Sequence, residues 1–251
     1  DVPTLDHRSP AFAKILHPTL ANIKRVLKTD DAQIFVFPST GTGGWETAIS
    51  NVLSPGDRVL AARHGMFSHR WIDMCSRHGL SVEVVELVWG GGAPVEQYEK
   101  ILRADRNHTI KAVLVTHNET ATGVRSDIAG IRRALDAAKH PALLLVDGVS
   151  SIGCMDFRMD EWGVDVAVTG SQKGFMLPTG LAITAFSARA MGAVEKAELP
   201  RTFFDIRDMA RSYANNGYPY TPAVGLLNGL KTSTEMLLDE GLENVFARHR
   251  R

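Results

Sequence analysis

The segment GSQKG at residues 170–174 holds a lysine, Lys173, directly after the apolar run VDVAVT. The flanking glycines let the backbone turn tightly and approach a ligand closely. A lysine at the end of a buried strand is either an ordinary solvated cation or a nucleophile that attacks a carbonyl group. Lys173 is therefore a candidate catalytic residue, and its surroundings must decide its role.

A carboxylate ends a second apolar run. Asp147 follows the run LLLV and precedes the polar turn GVSS. A carboxylate at the end of an apolar strand loses hydration, so it needs a cationic partner or hydrogen-bond donors. Asp147 either binds a cationic group of a ligand or caps a turn or helix, and the segment alone leaves both interpretations open.

A glycine-rich turn follows a third apolar run, where residues 38–46 read PSTGTGGWE. The free backbone N–H groups of a helix that begins here, with the hydroxyls of Thr40 and Thr42, suit a phosphate group. The dinucleotide-binding fingerprint needs a glycine where Glu46 stands, and the P-loop needs a Gly-Lys-Ser/Thr sequence that is absent. The turn at Thr40, Gly41 and Thr42 therefore predicts a phosphate site, with a plain strand-to-helix turn as the alternative.

Apolar segments alternate with amphipathic ones, which predicts an α/β fold with a mostly parallel seven-stranded sheet flanked by helices. The predicted strands are 34–37, 58–62, 82–88, 111–116, 142–146, 164–169 and 181–186. The predicted helices are 43–53, 68–78, 95–103, 127–139 and 188–197, with a helical pattern after residue 200 and one long helix leaving the domain at 221–251. Ligands bind beyond the carboxyl ends of strands in such sheets, so the three candidate sites should share one edge.

The composition is that of an ordinary globular protein, with 251 residues, 44% hydrophobic, 22% charged, and a formal net charge of zero. This neutral balance gives no electrostatic reason to expect binding to nucleic acid or an anionic membrane. No apolar run approaches the roughly 18 to 20 residues that a membrane span needs. We therefore expect neither nucleic acid nor membrane as a partner.

Cysteine and histidine spacing gives no sign of a metal site. Cys75 and Cys154 are too few for a disulfide framework and lack metal-ligand spacing, so we expect reduced thiols in an intracellular protein. The histidines that a metal hydrolase would use are His64, His69, His78 and His117. Their spacing matches no HExxH or related ligand set, so no metal is expected.

A phosphate site, a carboxylate and a lysine at one sheet edge correspond to the three groups of pyridoxal 5′-phosphate that a protein must hold. Asp147 would keep the ring nitrogen protonated, and Lys173 would form the Schiff base with the aldehyde. The turn at Thr40, Gly41 and Thr42 would bind the phosphate. Together the three features are far more specific than any one of them.

Six runs of the sequence resemble the class V (fold-type I) aminotransferases, with a similarity that covers residues 6–251. The runs are SPGDRVL, HNETATGV, HPALLLVDGVSSI, DEWGVDVAVTGSQKG, LPTGL and YPYTPAVGLL. They are most similar to the serine–glyoxylate and alanine–glyoxylate branch of that family. The resemblance implies the large domain of a fold-type I enzyme that depends on pyridoxal 5′-phosphate. The implied reaction transfers an amino group from serine or alanine to glyoxylate, giving hydroxypyruvate or pyruvate and glycine.

The resemblance also assigns roles to individual residues. Lys173 is the Schiff-base lysine, and Asp147 pairs with the ring nitrogen. The residues that it places on the cofactor are Thr40, Gly41, Thr42, Phe67, Thr120, Asp147, Gln172 and Lys173, with Phe67 stacked on the ring and Gln172 at the phosphate. Many relatives have serine where Thr40 stands. Tyr218 and Thr221 reach the phosphate of the neighbouring subunit, which implies a homodimer with shared active sites.

Parts of the family pattern are not found in this chain. Family members extend beyond both of its ends, and their downstream domain carries an arginine that binds the substrate carboxylate through paired hydrogen bonds. We therefore expect a fragment, with the large domain over 1–230 lacking its N-terminal segment and the start of an interdomain helix over 231–251. The expected location is the cytoplasm for a bacterial protein and the peroxisome for a plant-like one.

Two other functions stay open. A cysteine desulfurase-like enzyme of the same fold would need a reactive cysteine on a flexible loop, and neither Cys75 nor Cys154 fits that need well. A non-catalytic domain that binds a phosphate-bearing ligand would use the turn at 40–44 but would require neither Asp147 nor Lys173. Those two residues therefore separate the transaminase from the binding domain.

Overall fold

The computed structural model describes residues 5–250 and contains a seven-stranded sheet flanked by helices. The strands are β1 (Gln33–Pro38), β2 (Arg58–Arg63), β3 (Ser81–Glu86), β4 (Ile110–Thr116), β5 (Asn118–Glu119), β6 (Val124–Arg125), β7 (Leu143–Asp147), β8 (Val166–Gly170) and β9 (Leu181–Phe186). The helices are α1 (Ala13–Leu27), α2 (Gly41–Val52), α3 (Met66–Arg77), α4 (Val95–Ala104), α5 (Ile128–Ala137), α6 (Ala188–Val194), α7 (Ile206–Ala214), α8 (Val224–Glu240) and α9 (Leu242–His249).

The large sheet has the strand order β1-β9-β8-β7-β4-β2-β3. Neighbours from β8 to β3 pair in parallel, whereas β9 runs antiparallel to both β8 and β1. Every residue of β7, β8 and β9 is buried, as expected for central strands covered on both faces. The fold-class prediction is confirmed, and the carboxyl ends of β1, β4, β7 and β8 meet at one edge.

All seven predicted strands are present, with ends that shift by a few residues. The largest shifts are two residues: β8 begins at Val166 rather than at Val164, and β3 was predicted to reach Val88 but ends at Glu86, opposite the last residue of β2. The Leu87 N–H still donates to the Arg63 carbonyl at 3.3 Å, but the next residue, Val88, is 92% exposed. The prediction of α2 was also displaced, because the helix begins at Gly41 rather than at Gly43.

Two helical predictions need correction. Helix α1 was not predicted, because Pro18 interrupts its pattern, yet Leu16, Ile23 and Leu27 are buried and the helix packs against α8. The single long helix predicted over 221–251 is wrong, because Gly241 breaks it between α8 and α9 with a φ of 84°. The domain boundary at residue 230 stays a prediction.

The open edge of β1 is covered by two tyrosines. Tyr213 of α7 accepts a hydrogen bond of 3.2 Å from the backbone N–H of Val36, and Tyr218 donates to the carbonyl of the same residue. These bonds occupy backbone groups that an edge strand would otherwise offer to another chain. Within residues 5–250, no helix is long and apolar enough to cross a bilayer.

Candidate functional site

The glycine-rich turn after β1 forms the start of α2. Thr40 is the N-cap residue, with extended backbone angles and no hydrogen bond from its side chain to the helix. The first N–H groups of α2 have no acceptor within the helix, and the positive end of the helix dipole lies there. Thr40 and Thr42 are exposed and Gly41 is buried at this helix start, and their role at a phosphate stays a prediction.

Close packing fixes this turn against the ends of β7 and β8. A Cβ atom on Gly41 would lie 2.6 Å from the Val149 side chain, and one on Gly44 would lie 2.6 Å from that of Val168. Glycine at these positions lets the helix start approach the polar turn that follows Asp147. The site at 40–42 and the carboxylate are thus held together.

Gln172 lies beside the same helix start. A Cβ atom added to Gly170 would be 2.8 Å from the Gln172 Oε1 atom and 3.5 Å from the backbone nitrogen of Gly41. The Oε1 atom is buried and has no hydrogen-bond partner. A side-chain amide carries both donors and an acceptor, so rotation of this group presents N–H donors to an anion. An unpartnered amide beside free helix N–H groups fits a bound phosphate.

Asp147 ends β7 and is 4% exposed. Its carboxylate accepts one hydrogen bond of 2.9 Å, from the backbone N–H of Val149, and it has no ion pair with the lysines and arginines of residues 5–250. Burial raises the pKa of Asp147 to about 6. A buried carboxylate with so few donors fits a cationic partner such as a protonated pyridine nitrogen.

Three further groups act on Asp147. The Trp45 indole and the Thr116 hydroxyl lower its pKa, and the carboxylate of Glu119 raises it. The Nε1 atom of Trp45 and the Oγ1 atom of Thr116 are nevertheless buried without a hydrogen-bond partner of good geometry. Polar atoms around this carboxylate are therefore present but incompletely paired.

Aromatic rings connect Phe67 to this carboxylate. Trp45 stacks on Trp71 at 5.9 Å and meets Phe67 edge to face at 6.4 Å between ring centroids. Because Trp45 also lies beside Asp147, Phe67 is separated from this carboxylate by one ring, and its stacking on a cofactor stays a prediction. The sequence analysis did not identify Trp45, which the pattern of α2 marks only as an apolar position.

Lys173 lies in the turn that follows β8 and its side chain is exposed. A Cβ atom on the next residue, Gly174, would lie 2.3 Å from the carbonyl oxygen of Ile152. The turn that carries Lys173 therefore packs directly on the turn that follows Asp147. Both residues share the carboxyl edge of the sheet, at the ends of the neighbouring strands β8 and β7.

The polar loop at 117–123 forms a small hairpin that the sequence analysis did not predict. β5 pairs antiparallel with β6, and Thr120 is exposed at the tip. The side chain of Asn118 donates to the Ser150 hydroxyl at 3.0 Å, and this hydroxyl donates to the Asn118 carbonyl at 2.8 Å. These bonds hold the hairpin, with Thr120, against the turn after Asp147.

Tyr218 and Thr221 are not brought to this cluster within the chain. Tyr218 points inward to Val36 of β1, where burial raises its pKa, and Thr221 is exposed before α8. Their predicted role at a neighbouring subunit stays a prediction.

Cys75 and His117 both have buried surroundings. Cys75 is buried in α3, and burial raises the pKa of its thiol to about 12. His117 is buried with its Nδ1 atom 2.9 Å from the Ser151 hydroxyl, and burial lowers its pKa to about 4. Residues 5–250 contain no group of three or more acidic, histidine or cysteine side chains arranged to bind a metal.

The sequence matches a family model and two curated relatives that are all named as aminotransferases. The family model described as Aminotransferase class-V matches residues 3–251. The chain is 74% identical to the L-aspartate–glyoxylate aminotransferase of Paracoccus denitrificans, over its whole length and 63% of that protein. It is 56% identical to the serine–glyoxylate aminotransferase of Hyphomicrobium methylovorum, over its whole length and 62% of that protein.

A solved structure shows the same architecture. The alanine–glyoxylate aminotransferase from Nostoc sp. superposes with a TM-score of 0.92 at 28% identity, over 99% of this chain and 65% of that one. The chain thus spans just under two thirds of the length of each of these three proteins.

Proposed function

The chain belongs to the class-V aminotransferases, and from that premise we propose that it forms the cofactor-binding part of a transaminase that uses pyridoxal 5′-phosphate and accepts amino groups on glyoxylate. The observation that carries this proposal is the position of Asp147. It is a buried carboxylate with one hydrogen bond, placed between the free helix start at Gly41 and the turn of Lys173. A domain that only binds a phosphate group does not require a buried carboxylate at this position.

Each residue of the edge would then have a defined task. The N–H groups at the start of α2 and the Gln172 amide bind the phosphate, and Phe67 covers one face of the ring. The Asp147 carboxylate holds a proton on the ring nitrogen, which is the role its raised pKa and lack of donors suit. The Lys173 amine moves the proton at the substrate α-carbon as general base and then as acid. The cofactor supplies an electrophilic carbonyl and an electron-withdrawing ring.

The amino donor has three candidates. The sequence resemblance favours serine or alanine. The higher identity to a relative named for L-aspartate, 74% against 56% for the relative named for serine, favours aspartate. We propose glyoxylate as the shared acceptor for all three donors, because each of these two relatives is named for it.

The proposal also includes a homodimer. A groove of about 530 Å³ lies between α8 and the turn of Lys173, lined in part by Met176, Gly229 and Met236. Met176 is 48% exposed and Met236 57% exposed, and large exposed apolar side chains beside a site suit a protein interface. Thr221 precedes α8 by three residues. A second subunit bound in this groove would therefore lie near Thr221, which is predicted to reach the phosphate of the neighbouring subunit.

The test is amino transfer to glyoxylate by the purified protein, with serine, alanine and aspartate supplied in parallel and glycine measured. The proposal predicts glycine formation with at least one donor and only in the presence of pyridoxal phosphate. Cofactor-dependent conversion of cysteine to alanine, with sulfide released when a thiol reductant is supplied and with no glycine formed, would instead support the desulfurase alternative.

A further inference from the structure

Glu119 is a buried carboxylate with unusual partners. It is 0% exposed, and its oxygens accept backbone N–H bonds from Phe67 at 3.1 Å, Ser68 at 2.9 Å and Ala121 at 3.1 Å. Phe67 and Ser68 begin α3, whereas Glu119 and Ala121 belong to the β5–β6 hairpin. One side chain therefore joins two elements that are separate in the chain.

This carboxylate replaces a helix cap that the local sequence does not supply. The N-cap position of α3 is Gly65, which has no side chain to cap the helix. Most helix caps come from the adjacent residue, as Asp127 caps α5 through a 2.8 Å bond from the N–H of Gly130. Glu119 reaches α3 from 52 residues away. A helix can be capped by a residue next to it, so capping alone does not explain why the carboxylate comes from a residue so distant in the sequence.

The space for this side chain is reserved by glycine. A Cβ atom on Gly65 would lie 2.2 Å from the Cγ atom of Glu119 and 2.3 Å from its Cδ atom. The backbone of Gly65 is extended, with a φ of 174°, so the conformation itself accepts any residue. Glycine is needed at position 65 because the Glu119 side chain fills the space beside it.

Both elements that Glu119 joins carry predicted cofactor contacts. Phe67 donates its N–H to the carboxylate directly, and Thr120 is the next residue after Glu119. We propose that Glu119 is a positioning residue that holds the Phe67 ring and the Thr120 side chain in fixed relation across the cofactor site. This inference rests on the proposed function, since only there do Phe67 and Thr120 contact a cofactor.

The physical basis is the strength and direction of the bonds. Hydrogen bonds to a charged acceptor are stronger than neutral ones, and both carboxylate oxygens are engaged at a helix N-terminus, where the dipole stabilises negative charge. Glutamine offers one acceptor oxygen, so its NH₂ group must face either the N–H donors of α3 or that of Ala121. Alanine removes the link entirely.

The first test uses Glu119→Ala and Glu119→Gln, with Asp127→Ala as the matched control. Amide hydrogen exchange of the protein without cofactor should show lost protection at Phe67, Ser68 and Ala121 in the Glu119 variants only. The dissociation constant of pyridoxal phosphate should rise about tenfold or more for Glu119→Ala, and less for Glu119→Gln. The visible circular dichroism of the bound cofactor should change, whereas Asp127→Ala lowers the melting temperature without changing either cofactor property.

A second pair of variants keeps the inference testable if Glu119→Ala does not fold. Gly65→Ala should displace Glu119 and reproduce the weakened cofactor binding. Gly192→Ala, in α6 with open space around the added methyl group, should leave it unchanged. A lower melting temperature with wild-type cofactor affinity and circular dichroism, in both the Glu119 and the Gly65 variants, would overturn the positioning role.

The exchange measurement separates this inference from the proposed function. If the wild-type protein binds no pyridoxal phosphate, the proposed function fails and the role toward the cofactor fails with it. Lost protection in the cofactor-free Glu119 variants would still show that α3 and the hairpin are joined by this carboxylate. Unchanged protection would overturn the link itself, whatever the cofactor result.

Discussion

Two aspartates lie at opposite ends of the same pair of strands, β4 and β7, and their surroundings differ sharply. At the amino end, Asp105 accepts bonds from the Ile110 N–H at 2.7 Å and the Thr109 hydroxyl at 2.8 Å, and lies 3.2 Å from the His140 ring. At the carboxyl end, Asp147 accepts one bond. Both side chains are removed from water, but only the first is fully paired.

The pKa values of the two groups move in opposite directions. Burial acts to raise the pKa of Asp105, but the hydrogen bonds from Ile110, Thr109 and His140 outweigh it and lower the value below the usual range. Burial raises the pKa of Asp147 to about 6, because fewer donors offset it. Asp105 is thus paired within the chain, whereas Asp147 has few donors, which supports the proposal that a ligand completes its pairing.

The largest expected effect comes from replacing one lysine at each end of the sheet by alanine. Lys173→Ala should lower amino transfer by more than about 1,000-fold, because it removes the proposed proton carrier. Lys111→Ala, at the amino end of β4, should keep wild-type activity, since within residues 5–250 that lysine makes one hydrogen bond, to the carbonyl of His108. Steady-state rates with glyoxylate check both. Substantial activity in Lys173→Ala would contradict the proposal that the carboxyl end of the sheet carries the reaction and the amino end does not.

The second contrast is between the aspartates themselves. Asp147→Asn should lower activity about 100-fold or more while keeping or raising the free energy of unfolding, because it removes an incompletely paired buried charge. Asp105→Asn should keep activity and lose about 1–3 kcal/mol of stability, because it disrupts bonds to a charged acceptor. Urea unfolding and steady-state kinetics on both variants provide the comparison. The reverse pattern would show that the assignment of the two ends is wrong.

The pH dependence of stability should also separate the two carboxylates. Between about pH 4 and pH 6 the folded protein binds more protons at Asp147 than the unfolded chain does, so this group lowers the free energy of unfolding as pH rises through that window. Its contribution should be about 1–3 kcal/mol. Asp105 has a lowered pKa, so its stabilisation is present above about pH 4 and is lost as pH falls below it.

The measurement is urea unfolding of the cofactor-free protein at several pH values between about 4.5 and 7.5. The difference between wild type and Asp147→Asn should grow as pH rises through the window and then level off. A difference that stays constant with pH would mean that Asp147 titrates at its ordinary value.

The smallest contrast involves two threonines at the ends of β4. Thr109 donates to Asp105 at 2.8 Å and accepts from Arg58 at 2.7 Å, so Thr109→Val should cost about 1–2 kcal/mol. The Thr116 hydroxyl is buried without a hydrogen-bond partner of good geometry within residues 5–250, so Thr116→Val should keep or slightly raise stability. Thermal unfolding of the cofactor-free variants checks both. Equal losses would show that Thr116 is as well bonded as Thr109.

Much of the carboxyl end could be predicted from the sequence because its parts are local. The apolar runs before Asp147 and Lys173 fix where each strand ends, and the glycines at 41–44 mark a tight turn into a helix. Parallel strands then bring these three segments to one edge, without knowledge of the side-chain contacts.

The features that were missed depend on contacts distant in sequence. Glu119 caps a helix 52 residues away, and Trp45 reaches Asp147 from another strand–helix unit, so neither role leaves a local pattern. Pro18 hides α1 because proline usually ends a helix, and the break at Gly241 reflects one residue with a positive φ in an otherwise helical stretch.

The central claim is that the carboxyl end of the sheet holds pyridoxal phosphate on Lys173. The most direct measurement is to reduce the protein with borohydride after adding pyridoxal phosphate and to map the labelled peptide by mass spectrometry. The account predicts one label per chain, on Lys173, with a visible absorbance band before reduction that is lost on adding an amino donor. A folded protein that carries no label, or carries it evenly over exposed lysines such as Lys111, would contradict it.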